Sequence, residues 1–194
     1  MESTKEKILR QALICFANNG YKGTNLRELA AQVGLTKSAL YRHFESKEAI
    51  WDAVLDRMEA YYSVRFGSAE CVPEIASCEA LREMTLRMLE FTLHDEQVIL
   101  TRRVLLTEQF HDARACAFAS EHFLNRTKAL YAGIFARMMD RGLLRRGDPE
   151  MLAFAYTAPI TALVHLHDRE PDRAPEIMAQ IEAFIAHFIA TYAA

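Results

Sequence analysis

The chain has 194 residues, of which 51% are hydrophobic, and its formal net charge at pH 7 is −3. This length accommodates one domain or two small ones, and the apolar content is ample for a core. No apolar run approaches the roughly 20 residues that span a bilayer. The charged N-terminal segment also lacks the apolar core of a secretory signal. The sequence therefore excludes a membrane-spanning class and predicts a cytoplasmic protein.

Four cysteines are scattered through the chain without C-x-x-C spacing: Cys15, Cys71, Cys78 and Cys116. Neither a zinc site nor a disulfide framework is expected from such spacing, so the thiols are predicted to be reduced. A redox pair of Cys71 and Cys78 is the alternative left open. His165 and His167 are two residues apart and lie on different faces of a helix, which argues against joint metal ligation. We expect no metal and no cofactor.

Charge is distributed unevenly along the chain. Residues 1–47 carry eight Lys and Arg against four Glu, whereas the remaining residues carry fifteen basic side chains against twenty-two acidic ones. A basic N-terminal region followed by an acidic remainder places a polyanion-binding surface at one end of the chain, even though the net charge is negative.

Apolar residues at three- and four-residue spacing predict a first helix over about 3–19. Ser3 or Thr4 caps its start, because a hydroxyl there accepts a free backbone N–H. Gly20 ends it in the left-handed conformation that glycine adopts without steric cost. Tyr21 then leads to the next helix.

Residues 24–44 are predicted to form two short helices joined by a tight turn. Thr24 or Asn25 caps the first, Gly34 supplies the positive φ of the turn, and Thr36 caps the second. Three residues of the second helix suit a core: Ala39, Leu40 and Phe44. Its outward face carries donors and one phenol: Lys37, Ser38, Tyr41, Arg42 and His43. This is the build of a helix-turn-helix recognition element, with an ordinary solvated corner as the alternative.

The rest of the chain is predicted to be helical, with no alternating strand pattern. A connecting helix capped by Ser46 covers about 47–66, and an irregular link follows over 67–77. Asp148 and Pro149 make a strong helix start, and Asp172 is expected to cap the last helix. The helices predicted in between and beyond cover about 78–93, 96–109, 112–141 with a break near its start, 148–167, and 172 onward.

The stretch ILRQALICFANNGYKGTNLRELAAQVGLTKSALYRHFESKEAIWDAV resembles the TetR family of bacterial transcription regulators. The match covers about the first quarter of the chain, and one departure is Ala49, where the family often has an acidic residue. The matching residues occur at the family's spacing: Gly20-Tyr21, Thr24, Leu29-Ala30, Gly34, Leu40-Tyr41, Phe44 and Lys47.

The resemblance implies double-stranded DNA with a palindromic operator as the partner. Arg can donate two hydrogen bonds to one guanine, and a rigid phenol can reach a phosphate oxygen at little entropic cost. The implied DNA contacts are Thr24, Thr36, Lys37, Ser38, Tyr41, Arg42, His43 and Lys47.

The two C-terminal helices are the expected homodimer surface, both by the resemblance and by their small and apolar residues. The alternative is that these residues fill the chain's own core. The interface candidates are Ala155, Ala158, Ala162, His165, Ile181, Phe184, Ile185 and Phe188.

A small-molecule inducer pocket is the further implication of the resemblance. Aromatic and methionine side chains are its candidates, although such stripes at helical spacing more often form plain core. The pocket candidates are Trp51, Tyr62, Met88, Phe91, Phe110, Phe123, Tyr131 and Tyr156.

The predicted fold is all-α, with a helix-turn-helix DNA-binding domain over 1–47 and a larger helical ligand-binding and dimerisation domain over 48–194. The predicted function is that of a homodimeric repressor released from its operator by a small molecule. The alternative is a ligand-independent dimeric regulator or activator. The sequence shows no nucleophile–base–acid grouping and no phosphate loop, so it does not indicate an enzyme.

Overall fold

The computed structural model describes residues 2–66 and 72–194, with the side chains of 65 and 66 left aside. Helices account for the secondary structure of these residues, together with one isolated backbone bridge between Leu144 and Ala193. The predicted all-α class is confirmed. The helices are α1 Thr4–Gly23, α2 Leu26–Gln32, α3 Lys37–Tyr41, α4 Lys47–Phe66, α5 Cys78–His94, α6 Glu96–Glu108, α7 Ala113–Ser120, α8 Arg126–Asp140, α9 Pro149–Arg169 and α10 Ala174–Tyr192.

The chain divides into two compact units that do not coincide with the predicted domains over 1–47 and 48–194. The first unit, called the head unit here, joins Met1–Gly67 to Leu100–Ala119, and the second, called the body unit, joins Ser68–Ile99 to Ser120–Ala194. The whole of α4 and a distant stretch of α6 and α7 therefore belong with the N-terminal helices.

Helix α1 starts from a complete capping box, in which the Ser3 hydroxyl accepts the Glu6 N–H and the Glu6 carboxylate accepts the Ser3 N–H. Gly20 interrupts the helix with φ 69° and ψ 169°. This conformation is essentially restricted to glycine, and it ends the regular part of the helix where the sequence predicts.

The helix-turn-helix forms as the caps and the turn glycine predict. The Asn25 side chain accepts the Arg27 N–H at the start of α2, so Asn25 rather than Thr24 is the cap. Gly34 has φ 73° in the turn, and the Thr36 hydroxyl accepts the Ala39 N–H at the start of α3.

The core of the head unit lies between α1 and α4, which pack on each other. The Ser46 hydroxyl caps α4 through the Ala49 N–H. Buried side chains of this core come from five helices: Ile8, Ala12, Phe16, Leu29, Leu40, Ile50, Val54, Leu55, Met58, Val104 and Leu105.

The body unit is built on α8 and α9, with α5 and α10 packed against them. Aromatic rings form the centre of its core, where Tyr156 lies within 5.5 Å of Phe135 and within 4.5 Å of Phe188 between ring centroids. Asp148 caps α9 by accepting the Glu150 and Met151 N–H groups, as the sequence predicts.

Two predicted details differ. The long helix over 112–141 is instead α7 and α8 joined by a π-helical segment, Glu121–Asn125. Asp172 caps nothing; it lies in a 3₁₀ turn, Pro171–Arg173, that leads directly into α10. Residues 67–71 of the predicted link, and with them the alternative redox partner Cys71, lie outside the described residues. In the part that is described, no helix combines the length and the apolar character needed to cross a bilayer.

Candidate nucleic-acid interface

Helix α3 presents a row of exposed side chains, called the α3 ridge here. Tyr41 is 41% exposed, and its neighbours on the ridge are exposed as well. The ammonium of Lys37 lies 5.7 Å from the centre of the Tyr41 ring. The ridge consists of Thr36, Lys37, Ser38, Tyr41, Arg42 and His43.

The opposite side of α3 fixes this ridge to the head unit. Leu40 is fully buried, and Phe44, just after the helix, is buried too. Lys5 on α1 places its ammonium 5.2 Å from the centre of the Phe44 ring. Because the apolar back is held, the polar front projects from the head unit in one orientation.

The chemistry of the ridge suits a duplex. Arg42 offers a planar fork of N–H donors, Lys37 a cation, and Ser38 and His43 shorter polar groups. Arg is the residue most often found bidentate to guanine in the major groove, and hydroxyl groups commonly bind phosphates. The structure brings together six of the eight residues predicted to contact DNA.

Thr24, one of the other two, does not lie on the α3 ridge. Its side chain is buried, and its hydroxyl donates to the Gly20 carbonyl oxygen at 2.8 Å. The sequence placed Thr24 at the exposed start of α2, but Asn25 takes that position. A DNA contact at Thr24 remains a prediction, and Asn25 is the exposed residue at the start of α2.

Lys47, the remaining candidate, is engaged within the head unit. Its ammonium donates to the Thr24 carbonyl oxygen at 2.7 Å and lies 4.8 Å from the centre of the Tyr21 ring. The side chain is half-buried rather than exposed like the ridge.

Two carboxylates at the corner between α6 and α7 hold the head helices. Glu108 is buried, and its carboxylate accepts the Tyr21 N–H at 2.8 Å. The Asp112 carboxylate accepts the indole N–H of Trp51 at 3.2 Å and the Ala115 N–H at 2.7 Å. The α6–α7 corner is thus fixed to the last residues of α1, after the break at Gly20, and to α4.

Arg114 adds an ionic contact between α7 and α4. Its guanidinium donates to the carboxylates of Asp56 and Glu59, with a distance of 3.1 Å to Glu59 Oε2. These bonds raise the pKa of Arg114. The sequence gives no signal for the contacts of Glu108, Asp112 and Arg114 with α1 and α4, because those partners are more than 50 residues away in the chain.

The pocket candidates are divided between the two units. Trp51 and Tyr62 belong to the head unit, where the Trp51 ring packs edge-on against Phe16 at 5.3 Å between ring centroids. Phe110 is 80% exposed between α6 and α7. The remaining five candidates lie in the body unit: Met88, Phe91, Phe123, Tyr131 and Tyr156.

A buried hydroxyl cluster in the body unit includes two of these candidates. The Thr85 hydroxyl lies 2.9 Å from the phenol oxygens of both Tyr131 and Tyr156, and 3.0 Å from the Leu81 carbonyl oxygen. Because that carbonyl can only accept, the Thr85 hydrogen goes to it and both phenols donate to Thr85. Burial raises the pKa of Tyr156 to about 12 and also raises the pKa of Tyr131. Sequence reasoning missed Thr85.

An open cleft of about 570 Å³ lies elsewhere in the body unit, beside the loop between α8 and α9. Its described lining residues include none of the eight pocket candidates. They are Met139, Arg145, Arg146, Gly147, Asp148, Met151, Leu152, Ala155, Thr191 and Tyr192.

The dimer candidates divide into core and surface. Ile181, Ile185 and Phe188 are buried in the core of their own chain, so their side chains are not available to a second copy. His165 and Phe184 are half-buried, and the His165 ring packs on Phe123 at 5.5 Å between centroids.

The exposed side of α9 is apolar. Ala155 and Ala162 are exposed and Ala158 is half-buried. Met151, 62% exposed, and Phe154, 46% exposed, lie on the same side at helical spacing. On α10, the exposed residues between the buried ones include three alanines, together with polar side chains: Ala179, Ala183 and Ala186, with Gln180, Glu182 and His187.

Comparison with known proteins agrees with this geometry. Residues 8–54 match the model of the family described as bacterial regulatory proteins, tetR family. These residues include α2, α3 and the turn between them.

Two curated relatives are transcription regulators. The regulator AcrR of Shigella flexneri is 28% identical over 127 residues, which cover 62% of this chain and 53% of the relative. IcaR of Staphylococcus aureus (strain Newman), a negative transcriptional regulator of a biofilm operon, is 42% identical over 48 residues, 25% of this chain and 26% of that protein. The chain thus spans between about a quarter and about a half of the length of these relatives.

The fold extends beyond the matched region. SmeT, the repressor of a multidrug efflux pump of Stenotrophomonas maltophilia, superposes with a TM-score of 0.67 at 22% identity over 100% of this chain and 92% of its own. Its complex with triclosan superposes with a TM-score of 0.73 over 98% and 92% of the two chains. Residues 8–54 of the chain thus match the bacterial regulatory proteins of the tetR family, and the chain shares the fold of SmeT.

Proposed function

We propose that the chain is a sequence-specific DNA-binding repressor. The observation that carries this proposal is the α3 ridge, a row of donors and one phenol that folding does not need, projecting from a helix whose back is buried. Side chains in that arrangement read base edges and grip phosphates when the helix enters a major groove. The basic excess of residues 1–47 steers a polyanion to the same region.

Selection of bound DNA from a random pool tests this proposal. The wild-type protein is expected to enrich one sequence, and Arg42→Ala is expected to bind it more weakly and to discriminate less at one base pair. A lost bidentate contact costs about 1–3 kcal/mol of discrimination. Arg87→Ala is the matched control, because Arg87 is an exposed arginine on α5 beside Glu83. Equal enrichment by wild type and Arg42→Ala would refute the role of the ridge.

The protein is proposed to act as a homodimer through the exposed faces of α9 and α10. Large apolar side chains such as Met151 and Phe154 are costly to leave in water, and the alanines between them let a second backbone approach closely. Two recognition helices then meet one face of the duplex about 34–36 Å apart, or a multiple of that distance. A palindromic operator follows from this symmetry.

The oligomeric state in solution tests whether the exposed faces of α9 and α10 form the dimer. Ala162→Glu and Ala183→Glu each place a charge on an exposed position of the proposed face, and both are expected to shift the molar mass from dimer to monomer in light scattering. Ala117→Glu, at an exposed position on α7, is the control and is expected to remain dimeric. A wild-type protein that is monomeric at all concentrations would refute the proposal.

We propose that a small molecule releases the protein from DNA by changing the position of the α6–α7 corner. Glu108, Asp112 and Arg114 tie Leu100–Ala119 to the helices that carry the ridge. A ligand that favours another position of this corner must weaken DNA binding by the factor by which DNA weakens the ligand. The Thr85 hydroxyl cluster offers polar groups within an apolar core, which suits a mainly apolar ligand.

A thermal-shift screen of apolar phenols tests this part, with triclosan among them because SmeT binds it. A hit is expected to lower operator affinity in the wild type. Glu108→Gln, which weakens acceptance of the Tyr21 N–H, is expected to reduce that coupling while the ligand still binds. A protein that binds operator with no ligand effect across the screen would favour the alternative, a ligand-independent dimeric regulator.

A further inference from the structure

The open cleft beside the loop between α8 and α9, called the loop cleft here, has no part in the function proposed above. Its volume of about 570 Å³ falls within the range of about 300–1,000 Å³ that is usual for small-molecule sites. Three parts of the body unit line it: the end of α8, the loop with the first turns of α9, and the end of α10.

Much of the lining of the loop cleft is apolar. Met139 and Leu152 are buried in the core of the body unit. The Tyr192 ring packs on the buried Phe188 ring at 4.8 Å between centroids, which holds it in place. Met151, 62% exposed, adds an adaptable apolar side chain. A hydrocarbon chain lying on these residues would be removed from water together with them.

Two consecutive arginines provide positive charge at the same cleft, and both are exposed. The Arg145 Nε donates to the Ala193 carbonyl oxygen at 3.1 Å, which positions a guanidinium that has further N–H donors on its two terminal nitrogens. Arg146 lies 3.8 Å from the Asp140 carboxylate, and 81% of its side chain is exposed. Such an exposed ion pair contributes little, so the Arg146 guanidinium can turn to a bound anion at little cost.

The acidic residue of the lining, Asp148, does not cancel this charge. One oxygen of its carboxylate accepts the Glu150 and Met151 N–H groups as the cap of α9. The positive end of the helix dipole therefore compensates part of the negative charge. Two arginines against one capping aspartate leave the described lining with a positive balance.

Hydrogen bonds hold the loop to the end of α10. The Arg145 N–H donates to the Tyr192 carbonyl oxygen at 2.9 Å, and the Ala194 N–H donates to the Leu143 carbonyl oxygen at 3.3 Å. Leu144, between them, is buried. The cleft is thus formed before a ligand arrives, and binding does not have to order this loop.

We propose that the loop cleft binds an amphipathic anion, namely a medium-chain carboxylate such as octanoate. Its chain lies on Met139, Leu152 and Tyr192, and its carboxylate meets the guanidinium groups of Arg145 and Arg146, whose planar donors match a carboxylate. The site shares no lining residue with the Thr85 hydroxyl cluster, and it does not depend on DNA binding.

Methyl NMR of protein labelled with ¹³C at the methionine methyl groups tests the site. Octanoate is expected to shift the resonances of Met139 and Met151 along a saturable curve, and to leave those of Met58 and Met84 in place. Met58 is in the core of the head unit, and Met84 is the neighbour of Thr85. Because Met151 is also on the proposed dimer face, the titration is repeated with Ala162→Glu, so that a second copy does not block the cleft.

Variants and a second probe test the role of the charge. Arg146→Gln is expected to raise the Kd of octanoate about fivefold, as for the loss of one exposed ion pair. Arg87→Gln, which changes the exposed arginine on α5, is the control and is expected to keep the wild-type Kd. The same chain without the charge, 1-octanol, is expected to bind wild type more weakly than octanoate and to show equal Kd values for wild type and Arg146→Gln.

Three results would overturn the proposal. They are the absence of a saturable shift at Met139 and Met151 in both proteins, octanoate shifts confined to Met84 and Met88, and equal octanoate Kd values for wild type and Arg146→Gln. Shifts confined to Met84 and Met88 would instead place the ligand near the hydroxyl cluster. A protein that fails to bind DNA would refute the proposed function and leave this assay unaffected.

Discussion

Helix α3 and helix α10 differ in how directly their residue types reveal their tasks. On α3, Lys37 and Arg42 are exposed and contribute nothing to a core, so their presence calls for a partner. On α10, Ile181 and Phe188 fill the chain's own core, while alanines are among its exposed residues. Polar residues on a helix with a buried back therefore identify a surface, whereas apolar residues suit a core and an interface equally well.

The largest expected effect comes from testing Ile181 as a core residue. Ile181→Ala removes a fully buried side chain and is expected to lower the free energy of unfolding by about 2–5 kcal/mol. The measurement is urea unfolding in the Ala162→Glu background, which is expected to be monomeric, so that association does not contribute. If Ile181→Ala were neutral there, Ile181 would belong to the interface after all, and the contrast between α3 and α10 would disappear.

Two glycines sharpen the comparison within the head unit. Gly20→Ala combines a conformation restricted to glycine with a Cβ 3.1 Å from the Glu108 carboxylate, whereas Gly34→Ala faces open space at φ 73°. We expect Gly20→Ala to lower the thermal midpoint more, since Gly34→Ala carries only the cost of a left-handed residue, about 1–2 kcal/mol. Equal midpoints would show that the Glu108 contact does not constrain the last residues of α1.

The hydroxyl cluster tests the body unit's polar core. Thr85→Val leaves the Tyr131 and Tyr156 phenols without their shared acceptor and is expected to cost about 1–3 kcal/mol of stability. Tyr131→Phe removes one donor and is expected to cost less. The triple variant, with Thr85→Val, Tyr131→Phe and Tyr156→Phe together, is expected to recover most of the stability that Thr85→Val loses. A stability loss that instead grows with each substitution would argue against a shared hydrogen-bond cluster.

The smallest effect concerns His122, in the π-helical segment. Burial, with Arg126 nearby, lowers its pKa from the ordinary 6.5 to about 4, against an opposing contribution from Glu121. The unfolded chain then binds a proton that the folded chain does not, so stability falls as the pH drops from 6.5 toward 4. His122→Gln is expected to flatten this decline in denaturation curves taken at several pH values. If stability falls as much in His122→Gln as in the wild type, other titratable groups cause the decline.

Local sequence signals predicted most of the head unit. Caps at Ser3, Thr36 and Ser46 and positive φ at Gly20 and Gly34 each follow from the chemistry of one residue and its near neighbours. The outward direction of the α3 ridge follows from helical spacing once Leu40 and Phe44 are assigned to the core. These features need no knowledge of distant contacts.

Long-range contacts explain what the sequence could not show. The carbonyl partners of Lys47 and the buried hydroxyl of Thr24 became visible only when the link between α1 and α2 was placed against α4. Glu108 and Asp112 meet the head helices across 87 and 61 residues of chain. The aromatic pocket candidates divided between two units for the same reason, since their spacing fits core packing as well as a cavity.

Photo-crosslinking tests the role of the α3 ridge most directly. A benzophenone amino acid replaces Ser38 on the ridge in one variant and Ala117, exposed on α7, in the other, and both are irradiated with DNA selected by the wild type. The ridge predicts crosslinks to the selected sequence from position 38 and none from position 117. Bound DNA that crosslinks from position 117 and not from position 38 would contradict it.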